Sequence, residues 1–241
     1  MATERTRLLV DAGLSRKETF ERLAASGVEP ESLSAILVTH EHTDHIAGVQ
    51  TIARKLRIPV YISRLTAPAV AWDENPPALE LFQSGSSFTI GDIDVTSFTV
   101  PHDAADPVGF SLRAQGIKVS IATDLGYIPP NVKAQLKGVD LLLLESNHDI
   151  EMLRDGPYPW SVKQRVLSRV GHLSNEAAAT YLETEYDGQA AYVVLAHLSE
   201  SNNLPDLARI SAERALNGRA SLLANRLLLA AQHEPMTTIC F

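Results

Sequence analysis

The sequence predicts a layered α/β fold, on three observations. Apolar β-type runs alternate with helical segments along most of the 241 residues. Hydrophobic residues make up 45% and charged residues 21%, an ordinary globular composition that can bury a real core. Five chemistry-bearing residues, His40, His102, Asp124, Glu145 and His197, each end or directly follow a β-type run. Strand ends in such folds gather at a sheet edge, and sites are commonly built there. The five are therefore expected to converge. The chain carries no internal repeat, low-complexity tract or long linker, so a single domain over 1–241 is expected.

In chain order, RTRLLVDAG reads as a strand at about 7–10 that turns at Gly13. SRKETFERLAASG reads as a helix capped by Ser15 and closed by Gly27. SAILVTH is a buried strand, residues 44–56 a helix, and PVYIS a further strand. GDIDVTSFTV alternates before Pro101-His102, and VGFSLRAQGIKVSIATD predicts two strands joined at Gln115-Gly116. DLLLLES is a fully buried strand, SVKQRVLSRVG and SNEAAATYLETEY are helices, and AAYVVLAH is a strand. The C-terminal region reads as helical to about 231, with a short strand near 237–240.

Bulk properties exclude several classes. A formal net charge of -8 disfavours a protein that coats nucleic acid through basic contacts. It suits an enzyme whose bound metals supply local positive charge for an anionic substrate. No apolar run approaches the ~18 residues of a membrane span, and LLANRLLLAA is interrupted by Arg226. MATERTRLL has no apolar signal core. One cysteine, Cys240, excludes an internal disulfide. The cytoplasm is the expected compartment.

The densest chemistry lies in THEHTDHIAG, residues 39–48. Imidazole and carboxylate are good ligands for zinc and related divalent ions. His40 and His42 are two apart in an extended segment and can point the same way. Asp44 and His45 open a helix and can face a neighbouring point. Four donors split two and two suit a pair of adjacent ions, and His102, Asp124 and His197 fit the remaining ligand positions. Zinc is the foremost expectation, although nitrogen and oxygen ligands also accept manganese or iron.

HEHTDH resembles the H-x-H-x-D-H signature of the metallo-β-lactamase-fold hydrolases. PHDAADPVGF, ATDLG, LLLLESNHD, GPYPWSVKQRVLSRVGHLSNEAAA and LAHLSESNN resemble the YycJ/WalJ-type subfamily, over about residues 8–204. The resemblance implies a four-layer αββα sandwich with two metals at one edge. It implies that His40, His42 and His102 hold one metal, that Asp44, His45 and His197 hold the second, and that Asp124 bridges them. Asp11 would support the ligands rather than join them. GHLSN resembles the segment of RNase Z enzymes whose histidine approaches the scissile phosphate, with a glutamate paired to it. His172 and Glu145 take those places, and with Asp44 they form the expected catalytic set. His172, His148 and Asn203 are the expected substrate contacts. Trp160 and Tyr158 read as anchors of a helix on the core, with base stacking the alternative. Arg165 and Arg169 share a helix face that could meet phosphates. Subfamily members usually begin with one more strand and a Ser/Gly-rich turn. The sequence here starts just ahead of the second strand, so either the start lies upstream of Met1 or an element is lacking, which would leave a sheet edge open for self-association into a homo-oligomer.

The expected function is therefore a dinuclear metal-dependent phosphodiesterase acting on DNA rather than RNA, with 5′-to-3′ exonuclease action suggested by the subfamily. A hydroxide bridging two ions ~3.5–4 Å apart would attack phosphorus in line. The rival readings are an ester, thioester or lactone hydrolase sharing the metal site, and a regulatory domain with a vestigial one.

Overall fold

The computed structural model describes residues 1–217 and 226–241. The chain divides into two compact units. The first comprises Met1–Thr99, Ala104–Gln115 and Pro235–Phe241, the second Val100–Asp103 and Gly116–Glu234.

In the first unit, β1 (Leu8–Val10), β2 (Ala35–Leu37), β3 (Val60–Ser63) and β4 (Leu79–Phe82) form a parallel sheet in that order. Parallel strands need crossovers. These contain α1 (Arg16–Ala25), then α2 (Thr43–Ile46) and α3 (Val49–Leu56). Ser15 caps α1 by accepting the Glu18 N–H at 3.2 Å, and Gly27 closes it at φ 72°. The core is continuous and aliphatic: Ile36, Val38, Val49, Ile52, Val60 and Ile62 are fully buried. Strands β5 (Ser87–Ile90), β6 (Ile93–Thr99) and β7 (Val108–Ala114) pair antiparallel. Phe88 of β5 stacks on Tyr61 of β3 at 5.3 Å and on Phe82 of β4 at 5.2 Å, joining the two sets of strands.

In the second unit, β8 (Ile117–Ala122), β9 (Leu141–Glu145), β10 (Tyr192–Ala196) and β11 (Arg226–Leu229) are parallel neighbours. Leu142, Leu144, Val193 and Leu195 are buried, as the near-continuous apolar runs require. Helices α4 (Pro130–Gln135), α5 (Ile150–Asp155), α6 (Trp160–Val166), α7 (Asn175–Thr184) and α8 (Pro205–Asn217) complete the unit. Asp149 caps α5 and Ser174 caps α7 through their side-chain oxygens. Among the described residues, no helix is long and apolar enough to cross a membrane.

Four expectations are corrected. The single helix over 44–56 is two helices broken at Ala47-Gly48. There the Gly48 N–H donates to Ala12 O at 2.7 Å, and a Cβ on Gly48 would lie 2.1 Å from Leu14 O. The C-terminal helix is described over Pro205–Asn217; 218–225 lie outside the described residues, and the apolar run at 226–229 is strand β11 instead of helix. A short apolar run fits helix or strand equally well by periodicity, and here pairing with β10 decides it. No strand forms near 237–240. Trp160 is 66% exposed instead of anchoring its helix. The turn joining β7 to β8 does follow the sequence, with Gln115 and Gly116 both at positive φ.

Gly13 is a position of close backbone approach, since a Cβ there would sit 1.5 Å from Asp44 O. Gly13→Ala should therefore destabilise the protein by about 2–3 kcal/mol. Urea denaturation checks this, and an unchanged midpoint would contradict the contact.

Candidate functional site

In the first unit the site residues stand at the carboxyl ends of β1 and β2, where open parallel sheets place ligands. The Asp11 N–H donates to Leu37 O at 2.8 Å, and its carboxylate accepts the Thr39 N–H at 2.8 Å. Asp11 Oδ2 also accepts the Thr39 hydroxyl and His45 Nδ1–H, each at 2.8 Å. Thr39 Oγ1, having donated its proton to Asp11, accepts from His40 Nδ1–H at 2.9 Å. One carboxylate thereby fixes two imidazole tautomers, with Nδ1 protonated and Nε2 carrying the lone pair.

Those Nε2 atoms meet further donors. His40 Nε2 faces His42 Nδ1 at 3.0 Å, and His45 Nε2 faces Asp44 Oδ2 at 3.7 Å. Two nitrogens bound to one tetrahedral ion lie about 3.3 Å apart, from metal–nitrogen bonds of ~2.0–2.1 Å. The donor chemistry and spacing fit a divalent metal. His40 and His45 are buried, whereas the Asp44 side chain is 69% exposed. Sequence reasoning did not single out Thr39, because a threonine beside a histidine carries no signal until Asp11 is brought beneath it.

In the second unit, strand register does the positioning. Ala196 of β10 pairs with Glu145 of β9, and Leu144 pairs with Ala122 of β8. Asp124, Glu145 and His197 therefore emerge at one sheet edge. Glu145 is fully buried. Its Oε1 accepts His172 Nδ1–H at 2.8 Å and His197 Nδ1–H at 2.7 Å. Its Oε2 accepts the Leu125 and Leu173 N–H groups, each at 3.0 Å. A carboxylate offers about four lone-pair sites, so these four bonds occupy it fully. Burial by itself would raise its pKa, but the two histidine bonds and their charges hold the carboxyl well below the usual range. His172 responds in the opposite sense. Burial disfavours its proton, yet the bond to Glu145 and that carboxylate's charge raise its pKa above the ordinary histidine value.

Asp124 Oδ1 lies 3.5 Å from His197 Nδ1, 3.7 Å from His172 Nδ1 and 3.9 Å from His102 Nε2. Single donor atoms of Asp124, Glu145, His172 and His197 all lie within 4.8 Å of one another. His102 donates Nδ1–H to Gly171 O at 3.1 Å, which directs Nε2 towards the Asp103 and Asp124 carboxylates. Asp11, Asp124 and His197 all adopt left-handed backbone, at φ 57°, 57° and 59°. Non-glycine residues visit this region sparingly and concentrate there at functional sites. Asn147 Nδ2 donates to His197 O at 2.8 Å and holds that turn.

Two expected substrate contacts are placed differently. Asn203 is buried, and its amide is committed to Ser146 O, Asn147 O and the Asn175 side chain. It ties three loops together instead of presenting an amide to solvent. His148 is 1% exposed, and neither ring nitrogen has a hydrogen-bond partner. Burial pushes its pKa down to about 4, outweighing the attraction of Glu145. It is therefore a neutral interior histidine. Arg165 is paired with Asp103, and Arg169 stacks over Tyr127 at 4.1 Å.

The His148 shift has a consequence for stability. Its folded pKa lies below the unfolded value of 6.5, so protonation favours unfolding. Stability is complete above about pH 6.5 and falls as pH drops towards 4. The contribution lost between pH 7.5 and 4.5 is about 2–3 kcal/mol. Urea unfolding at both pH values should show His148→Leu losing that much less than the wild type. Equal losses would contradict the assignment.

Comparison with known proteins agrees with this geometry. The model of the β-lactamase superfamily domain matches residues 6–198. The chain is 42% identical to exodeoxyribonuclease YycJ of Bacillus anthracis over 219 residues, covering 90% of this chain and 83% of the relative. It is 39% identical to exodeoxyribonuclease WalJ of Streptococcus pneumoniae (strain D39), covering 88% of this chain and 80% of the relative. The crystal structure of the metallo-β-lactamase fold protein YhfI from Bacillus subtilis superposes with a TM-score of 0.69 at 19% identity, over 95% of this chain and 86% of that one. That fold implies divalent-metal binding, for which the histidine and aspartate clusters are suited. The chain thus belongs to the β-lactamase superfamily, as a metal-dependent hydrolase of the YycJ/WalJ type.

Proposed function

We propose that this protein is a phosphodiesterase that degrades DNA from an end, with the 5′-to-3′ direction that the subfamily resemblance suggests. Two divalent ions, zinc foremost, would be held by His40, His42, Asp44, His45, His102, Asp124 and His197. The names of the YycJ and WalJ relatives support the substrate. The observation that carries the reaction type is the pair of imidazoles bonded to one buried glutamate oxygen.

Divalent ions at these donors supply the charge that acidifies water and offsets the negative charge growing on a phosphoryl group. The chain's own residues do the rest. Glu145 keeps His172 oriented through Nδ1 and favours its protonated form. Nε2–H of His172 is then available to a phosphate oxygen or to the departing sugar oxygen, as a general acid. Asp44 Oδ2, on the most exposed side chain of the donor set, can accept a proton from the attacking water. Asp11 and Thr39 keep His40 and His45 in the tautomer that offers Nε2.

His172→Ala should lower kcat on single-stranded DNA by about 10²–10⁴-fold while retaining bound metal. His40→Ala and Asp124→Asn should lose metal, as read by elemental analysis. Unimpaired cleavage by His172→Ala would remove its role. Turnover of acyl esters or lactones by a metal-loaded wild type that leaves DNA intact would transfer the protein to the rival hydrolase class.

A further inference from the structure

Three polar side chains of the second unit are withdrawn from water: Ser146 is 1%, Asn175 2% and Asn203 3% exposed. Burying amides and hydroxyls is costly unless they are hydrogen-bonded, and these three satisfy one another. Asn175 Nδ2 donates to Asn203 Oδ1 at 2.8 Å, and Asn203 Nδ2 donates back to Asn175 Oδ1 at 3.1 Å. The Ser146 hydroxyl donates to Asn175 Oδ1 at 2.6 Å. Asn203 Nδ2 also reaches Ser146 O at 2.9 Å and Asn147 O at 3.0 Å, and its Oδ1 accepts the Leu204 N–H at 2.9 Å. A reciprocal pair of amides thus clasps the loop after β9, the first residue of α7 and the loop after β10.

We infer that Asn175 and Asn203 are positioning residues: their amide pair holds the segment His172–Asn175 in the register that seats the His172 ring on Glu145. The inference rests on the nuclease reading above, in which His172 faces the phosphate, and adds what sets its place. Main-chain pairing fixes this segment only briefly. It lies beside residues 146–148 through an isolated parallel bridge, His148 with Ser174. The Asn147 N–H donates to Leu173 O at 2.8 Å, and the Asn175 N–H to His148 O at 2.9 Å. Register is weakly specified in polar, glycine-containing pairings. A slip of one residue would carry His172 about 3.3 Å along the pairing. That would take Nδ1 away from Glu145 Oε1, which it meets at 2.8 Å. Asn175 follows His172 by three residues, and its side chain meets partners from two other loops only in the observed register. A fully satisfied buried network rigidifies and selects one arrangement. His197, the other imidazole on Glu145, has a separate tie, from Asn147 Nδ2 to its carbonyl. The amide pair therefore acts on His172, which lies outside the proposed metal-ligand set.

The test compares zinc-loaded wild type with Asn175→Ala, Asn203→Ala and the double variant. It reads kcat and KM on single-stranded DNA, bound metal, and the His172 Nδ1–H proton resonance in nitrogen-15 histidine-labelled protein. That resonance is identified by its loss in His172→Ala. Each single change should lower kcat by up to about 100-fold, the scale of a small misplacement at a reacting centre, with KM and metal content unchanged. The double variant should be no worse than the weaker single variant, because both changes remove one device. The His172 resonance should shift or disappear in all three. Ser146→Ala deletes one hydroxyl and keeps the amide pair, so it should show the same pattern in smaller measure, and it carries the test if the asparagine variants do not fold. Unchanged kcat in the folded variants, or additive losses in the double variant, overturns the clasp. DNA cleavage by the wild type with an unmoved His172 resonance in the variants overturns the clasp and leaves the nuclease reading standing. A resonance that moves in a protein whose wild type cleaves no DNA does the reverse.

Discussion

The buried carboxylate of Glu145 is the constraint on which the second unit's site depends. It accepts two imidazole N–H groups and two backbone N–H groups. The bonds come from three segments: the loop after β8, the turn carrying His172 and Leu173, and the loop after β10. A single oxygen pair therefore sets the spacing of residues that are far apart in sequence. A buried charge survives only when it is paired and hydrogen-bonded, and here the pairing partners include His172 and His197, the two histidines given roles in the proposed site. Removing one partner would leave charge unsatisfied in the interior, at a cost of about 3–5 kcal/mol. The same four bonds make Glu145 the hub of this cluster.

Asp11 plays the corresponding part in the first unit, through a shorter relay. It reaches His45 directly and His40 through the Thr39 hydroxyl. In both units a carboxylate behind the histidines decides which nitrogen faces outward. Both rely on left-handed backbone just after a strand, at Asp11, Asp124 and His197. That conformation turns the chain sharply at the sheet edge, and hydrogen bonds such as Asn147 to the His197 carbonyl hold it.

Much of this was legible in the sequence. The strands carrying the site residues are marked by apolar runs, and within each unit parallel pairing delivers their ends to one edge. His40, His42, Asp44 and His45 declare themselves by density alone. The partnership of His172 with Glu145 was legible only through family resemblance, since nothing local links residues 27 positions apart. The roles of Thr39, Asn147 and Gly171 were hidden, because a hydroxyl, an amide and a carbonyl are common everywhere. Asn203 and His148 were read as substrate contacts through the same family resemblance, and both are buried. Trp160 was read as an anchor of its helix on the core, with base stacking the alternative. The fold leaves Trp160 exposed and buries Lys163 of the same helix, whose ammonium finds an interior acceptor in the Arg154 carbonyl.

The sequence by itself determined the alternation of strands and helices, the strand-end location of the site, and the nitrogen and oxygen donors suited to divalent metal. These follow from short-range periodicity and side-chain chemistry, which any window of residues displays. Tertiary structure alone decided which histidine nitrogen faces outward, which carboxylate is a hub, which polar residues are interior, and which face of α6 meets water. Each of those depends on a partner supplied by another segment, and strand register and burial decide which partner that is.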